Sequence, residues 1–257
     1  MSHSRTPHPY FDVDGMNPAE GFVAWIDMMG AGSIMKRSLK MSMNFIGRIH
    51  TAILDCHGNS TFNQCIDLYP VMDGVYIFVD KNKTMKYNGS EINAEEIMKH
   101  FIKCVYRKLF NYFSKSKPEN RFLIRASVAY GKVYQGKDIQ PSNNNTLGNS
   151  SYKNSLLIGM PMIQAYETEK LAPPFGIYIH ESARYAGNFP YNWFKWFNKK
   201  NSHKIYKSMK SYFNWCANRP HIIDYPSEKI KEHKELALEY FKQDVRIYYK
   251  PNKQNKT

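Results

Sequence analysis

The sequence predicts an α+β fold, a mainly antiparallel sheet with helices over one face. Three observations predict it. An apolar strand, Phe22-Val-Ala-Trp-Ile26, runs into Asp27, then a Gly-rich turn, then helical periodicity. Two further apolar runs, Cys65–Val71 and Val75–Val79, flank Met72-Asp-Gly74, which is a β-hairpin signal. A second amphipathic stretch and another apolar strand follow. The order becomes strand, helix, hairpin, helix, strand, loop, helix, strand. Two layers satisfy that order, because each helix can bury its apolar stripe on the same side of one sheet.

Taken in order, residues 1–20 are rich in Pro, His, Ser and Asp and read as an N-terminal arm. The first strand is expected from Gly21 to Asp27. Helix one is expected from Ser33 to Leu54, with Ile34, Met35, Leu39, Met43, Ile46, Ile49 and Ile53 at helical spacing, and Asp55-Cys-His-Gly-Asn59 ends it. The hairpin is expected to turn on Asp73-Gly74, and Pro70 fits an edge or a bulge near the turn better than a central strand position. Lys81 to Gly89 reads as a polar loop. Helix two is expected from Asn93 to Phe113, with Ile97, Phe101, Val105, Leu109 and Tyr112 on one face. Lys115 to Asn120 is a linker. Phe122 to Tyr134 reads as a strand with a bend at Gly131. Residues 136–155 form a long polar loop, a length usually functional or mobile. A helix from Pro161 to Leu171, a strand from Ile177 to His180 and a helical turn from Glu181 to Tyr185 complete a domain of residues 21–187. From residue 188 to 257 the composition shifts to Trp, Phe, Tyr, Asn and Lys. Helical periodicity over 204–215 and 227–244 predicts a basic, aromatic extension packed on the core.

Net charge is +14, which favours anionic partners. The lysines are spread along the chain, so nucleic acid is not the expected main partner. Mean hydropathy is −0.58 and no apolar run is long enough to cross a bilayer. The N-terminus lacks a signal-peptide core, so a cytoplasmic protein without membrane contact is expected. Cys56, Cys65, Cys104 and Cys216 form no CxxC pair and read as reduced core thiols.

The chemistry concentrates after the first strand. Asp27 ends that strand, and the turn Gly30-Ala-Gly-Ser33 offers free backbone N–H groups suited to phosphate. If the hairpin lies beside the strand end, Asp73 faces Asp27. Two carboxylates at one rim repel unless a cation lies between them. Two divalent ions held there can activate an attacking oxygen and hold a polyphosphate leaving group.

Four segments resemble the class III nucleotidyl cyclases, over roughly residues 20 to 185. They are Trp25-Ile-Asp-Met-Met-Gly30, Met72-Asp-Gly74, Arg125-Ala-Ser-Val-Ala-Tyr-Gly131 and Gly159-Met-Pro-Met-Ile-Gln-Ala-Tyr-Glu-Thr-Glu169. The resemblance implies a ferredoxin-like, palm-type sandwich. It implies two Mn²⁺ or Mg²⁺ ions held by Asp27, Asp73 and the Met28 carbonyl, and triphosphate contacts from Gly30, Gly32 and Ser33. It also implies a homodimer with active sites at the interface, acting on a nucleoside triphosphate.

The departures shape the expected activity. Purine cyclases carry Lys or Glu where this chain has Tyr69. The helix Asn and Arg that family members use are Ile163 and Glu167 here. The transition-state cation must then come from elsewhere, with Arg125, Arg184 and Lys132 as candidates and Arg184 also a candidate triphosphate contact. Tyr69 fills part of a purine-sized pocket and its hydroxyl can donate or accept. The chain most resembles the pyrimidine cyclases of bacterial Pycsar antiphage defence. Those make cyclic CMP or cyclic UMP, which activates a separate effector. CTP is preferred over UTP from overall resemblance alone. The rival expectations are a purine cyclase, an inactive nucleotide sensor, and a nucleic-acid binder using Phe189 to Trp215.

Overall fold

The computed structural model describes residues 11–12, 17–138, 140–141, 154–220 and 225–242. Most of the long polar loop expected over 136–155, and the expected arm at residues 1–10, lie outside them. Strand β1 is Phe11–Asp12 and β2 is Ala19–Met28. Helix one of the sequence reading is two helices, α1 (Ala31–Arg37) and α2 (Leu39–Gly58). Ser38 breaks them with extended backbone (φ −155°, ψ 101°), and its hydroxyl caps α2 by accepting from the Met41 N–H at 3.2 Å. Strands β3 (Asp67–Val71) and β4 (Gly74–Asp80) form the hairpin. The expected polar loop after it holds a small second hairpin, β5 (Met85–Tyr87) with β6 (Ser90–Ile92). Helix α3 (Ala94–Lys115) follows, capped by Asn93, whose side chain accepts from the Glu96 N–H at 3.1 Å.

Next come β7 (Ile124–Gln135), β8 (Gln140–Pro141), β9 (Leu157–Ile158), α4 (Met160–Thr168), β10 (Ile177–Ile179) and α5 (Glu181–Ala186). The chain then runs into α6 (Lys199–Ala217) and α7 (Ser227–Lys242). The main sheet has the order β10-β7-β2-β4-β3, with β9 paired to the end of β7. All these pairings are antiparallel except β10 with β7. Strand β3 is an edge strand, the first of the two settings that suit Pro70.

Strand β2 is apolar from Phe22 to Ile26 because that stretch is central and covered on both sides. Phe22, Ala24, Ile26 and Met28 face the main core with Ile49 and Ile53 of α2 and Ile97, Phe101 and Val105 of α3. Val23 and Trp25 face the other way, with Tyr69, Tyr76, Phe78 and Ala165 of α4. The α+β class stands as read, and α4 adds a helix on the second face that a one-sided layout omits.

The aromatic segment after residue 188 is core material. Phe189, Trp196, Phe213, Tyr240 and Phe241 are buried in the same cluster as α2 and α3. The Trp196 indole donates to the Phe175 carbonyl at 2.7 Å, so its one polar group is satisfied inside. Cys56 and Cys216 are buried, Cys65 is half-buried and Cys104 is exposed, so only two of the four thiols lie in the core. The Cys104 sulfur is 2.6 Å from that of Cys56. Among the described residues no helix is long and apolar enough to cross a membrane.

Candidate active site

Side chains alternate along β2, so Asp27 projects to the same side as Trp25, toward α4. Cross-strand register sets its neighbours. Asp27 lies opposite Arg125 of β7, and Ile26 lies opposite Val75 of β4. The β3–β4 turn therefore falls beside the end of β2. That turn is Met72-Asp73, flanked by the pair Val71 and Gly74, and not the expected Asp73-Gly74. Met72 takes the strained position, with φ 51°. Gly74 is already in the strand, and the reason is packing. A Cβ there would lie 2.3 Å from the Trp25 ring and 2.6 Å from the Ile26 carbonyl oxygen. The indole uses the space a side chain would take, and the turn shifts back by one residue.

Arg125 does not stand free. Its Nη2 donates to Glu169 Oε1 at 2.8 Å, and its Nε contacts Glu169 Oε2, a two-pronged pair. Glu169 is only 7% exposed, in the turn that follows α4. Sequence reasoning missed its role. The sole available signal was a charged Arg125 inside an apolar strand, which calls for a buried counter-charge without saying where that charge comes from.

The site is short of positive charge. Burial, then repulsion from Asp73 and from Glu169, pushes Asp27 from the ordinary aspartate value of 3.8 up to about 7, although Arg125 opposes the shift. Burial also raises Glu169, against the pull of Arg125. Hard carboxylate oxygens in such a place suit a divalent cation. Among the described residues no group of three or more His, Cys, Asp or Glu side chains is arranged to hold a metal. The carboxylates that could hold one are those of Asp27 and Asp73, which lie close enough to repel each other. Glu169 is committed to Arg125.

The adjoining turn is shorter than expected, since Ala31, Gly32 and Ser33 already belong to α1 and only Gly30 of the four lies outside it. Gly30 adopts φ 75°, which favours glycine, and leads into α1. The first N–H groups of α1, at Ala31, Gly32 and Ser33, have no acceptor within the helix. Gly30, Gly32 and Ser33 are exposed.

Other candidates fall elsewhere. Tyr69 is 3% exposed, packed among Trp25, Tyr76, Val133 and Leu157. Burial, then the charges of Asp67 and Asp138, raise its phenol well above the ordinary range. Arg184 belongs to α5, which follows β10, whose Ile179 lies opposite Val128 of β7, itself opposite Ala24 in the middle of β2. Its Nη1 donates to the Ile179 carbonyl. Lys132 pairs with Glu20, further still from Asp27. The fold does not bring Arg184 or Lys132 to the acid pair. Ile163 lies exposed on α4, and Glu167 is exposed on the same helix.

The sequence matches no family model, and it matches no curated protein. Solved structures do match. The chain is similar to a bacterial light-regulated adenylyl cyclase at 10% identity and a TM-score of 0.50, over 70% of this chain and 49% of that one. It is also similar to the guanylate cyclase domain of RhGC from Catenaria anguillulae in complex with GTP, at 13% identity and a TM-score of 0.47, over 67% and 84% of the two chains. A class III adenylyl cyclase-like ATP-binding protein from Pseudomonas aeruginosa matches at 14% identity and a TM-score of 0.46, over 84% and 43%. The chain thus spans about half of the light-regulated enzyme that it matches. The fold is that of the class III nucleotidyl cyclase cores.

Proposed function

We propose that the chain is a metal-dependent pyrimidine nucleotide cyclase. It converts CTP, with UTP as the second candidate, to the 3′,5′-cyclic monophosphate and pyrophosphate. The product activates a separate antiphage effector. The observation that carries the reading is the acid pair, with Asp27 at the end of β2 beside the Asp73 turn and its carboxyl raised to about 7 by burial and then by Asp73. Bound Mg²⁺ or Mn²⁺ ions would polarise the 3′-hydroxyl and neutralise the departing pyrophosphate. Asp27, Asp73 and the Met28 carbonyl hold the ions. The Gly30–Ser33 turn binds the phosphates through its N–H groups. The 3′-oxygen bonds to the α-phosphorus as the bond to the β-phosphate oxygen breaks, and the hydroxyl proton leaves to solvent. Arg125, held by Glu169, lies opposite Asp27 and favours its charged form, while Glu169 opposes it.

Tyr69 is assigned to a small base by its bulk and not by hydrogen bonding, since its ring is buried in the second core with Trp25 and Tyr76. The chain works as a homodimer. Ile158, Met160, Ile163 and Tyr166 are each at least half exposed on and beside α4, and Met72 is 83% exposed at the hairpin tip. Such an apolar patch is what a second copy would cover.

An equimolar mixture of the four nucleoside triphosphates with Mn²⁺ tests the reading. Cyclic CMP, or cyclic UMP, is the expected main product. Cyclic AMP or GMP as the main product rejects the pyrimidine assignment, and no cyclic product rejects the enzyme. One observation favours a second reading, a nucleotide-binding protein without turnover. Arg125 is held by Glu169, while α4 offers Ile163 and Glu167 where a cation is needed. Tight nucleotide binding with no pyrophosphate release is its signature.

A further inference from the structure

The C-terminal helices and the core together enclose a cavity of about 230 Å³ next to the phosphate turn. Its floor is apolar and buried. Phe45 comes from α2, Phe122 and Leu123 precede β7, and Tyr212 comes from α6. Its rim is exposed and carries Gly30, Ser33 and Arg37 on one side and Lys229 of α7 on the other. Arg121 and Arg125 also line it, with Glu119 as the one acid.

Polar groups in the depth already have partners inside the protein. The Tyr212 hydroxyl donates to the Arg121 carbonyl at 3.4 Å, and Arg121 Nε donates to the Ser116 carbonyl at 3.0 Å. The Tyr225 hydroxyl is hydrogen-bonded to His233. What remains for a ligand is apolar contact below and positive charge above. Lys229 is shared with Glu232 at 2.7 Å, and Arg125 with Glu169, so Arg37 and Arg121 complete the cationic side. A polyphosphate is a poor fit, since driving several charges onto a floor of Phe and Leu leaves them without partners. The volume is below the roughly 300–1,000 Å³ of drug-sized pockets, so the ligand is small.

We propose that this cavity binds a small organic anion, an apolar body carrying one carboxylate or phosphate group, and that its occupancy regulates the neighbouring site by holding the Gly30–Ser33 turn. The binding half stands on the cavity alone. The regulatory half rests on the cyclase reading. The two walls come from distant parts of the chain, so a ligand here also ties the C-terminal helices to the turn.

Calorimetric titration of the full chain with indole-3-acetate, indole, acetate and inorganic tripolyphosphate tests the binding half. Indole-3-acetate is expected to bind at least tenfold tighter than indole or acetate. Ile34→Trp, which fills the cavity from α1, is expected to abolish that binding with an unchanged circular dichroism spectrum. Met41→Trp serves if that variant does not fold. Lys229→Ala is expected to weaken binding about threefold. Absence of saturable indole-3-acetate binding at millimolar concentration overturns the proposal. So does binding that survives both filling variants, or tripolyphosphate binding that they remove, which would make the cavity part of the substrate's phosphate site. In the triphosphate assay, indole-3-acetate is expected to change turnover at least twofold in the unmodified protein and not in the filled variant. Unchanged turnover with intact binding overturns the regulatory half. A chain that binds indole-3-acetate but makes no cyclic nucleotide refutes the cyclase reading and leaves the cavity assignment standing.

Discussion

At the scale of single residues, Asp27 is the group whose environment does most. Its carboxyl is raised from 3.8 to about 7 by burial and by two neighbouring acids. The folded state therefore holds the proton more tightly than the unfolded chain does. The stabilisation is fully present below about pH 4 and is lost as pH rises toward 7. Metal-free protein should melt at a progressively lower temperature across that window, and Mn²⁺ at pH 7.5 should restore the loss. Asp27→Asn should melt higher than the unmodified protein at pH 7.5 without metal, and should no longer respond to Mn²⁺. It should also lower any cyclase turnover at least a hundredfold. A melting temperature independent of pH between 4 and 7 would contradict the electrostatic account. Glu169→Gln removes one repelling acid and frees Arg125 to face Asp27. The midpoint of the metal-free melting profile should then move to lower pH. Thermal melts at half-unit pH steps check both variants.

At the scale of elements, the hairpin and the strand beside it are coupled through one missing side chain. Gly74 lets the Trp25 ring lie flat against the turn, and the turn in turn carries Asp73. Gly74→Ala forces the ring or the strand to move. Overpacking of this kind costs about 1–3 kcal/mol. The expected result is a lower denaturant midpoint together with weaker Mn²⁺ binding, although no metal ligand has changed. Retained metal affinity in a destabilised variant would separate the two elements. The signals for this region were partly legible. Apolar runs on either side of Met72-Asp-Gly74 announced a hairpin, because alternation and turn chemistry are local. The one-residue shift of the turn was not legible, because it depends on an indole from a strand some fifty residues earlier. Ser38 behaves similarly. The apolar spacing runs unbroken through it, and only the backbone angles at that residue show two helices.

At the scale of the whole molecule, the sheet has two unequal faces. Among the described residues, one is covered by α2, α3 and the C-terminal helices, while the other carries α4 with exposed apolar side chains around it. Ile163→Asp places a charge in that patch without touching the acid pair. If a second copy covers the patch, the variant should run as a monomer in light scattering. Its turnover should fall at least tenfold while circular dichroism stays unchanged. A dimer that persists in Ile163→Asp would place the interface elsewhere.

Local chemistry was enough to read the strand-to-turn passage at Asp27, the hairpin, the long amphipathic helices and an edge or bulge setting for Pro70. Each depends on spacing, propensity or turn residues within a few positions along the chain. The tertiary structure alone decided three other things. It paired Arg125 with Glu169, so the expected catalytic cation is held in an ion pair. It buried Tyr69 in a second core and tied Arg184 to the Ile179 carbonyl of β10, two strands away from β2. It used α6 and α7 of the basic, aromatic extension, whose packing on the core the sequence already predicts, to wall a cavity beside Gly30 and Ser33. The reason is the same in each case. Sheet register and helix docking bring together residues far apart in the chain, and a single sequence carries no direct record of which distant side chains will meet.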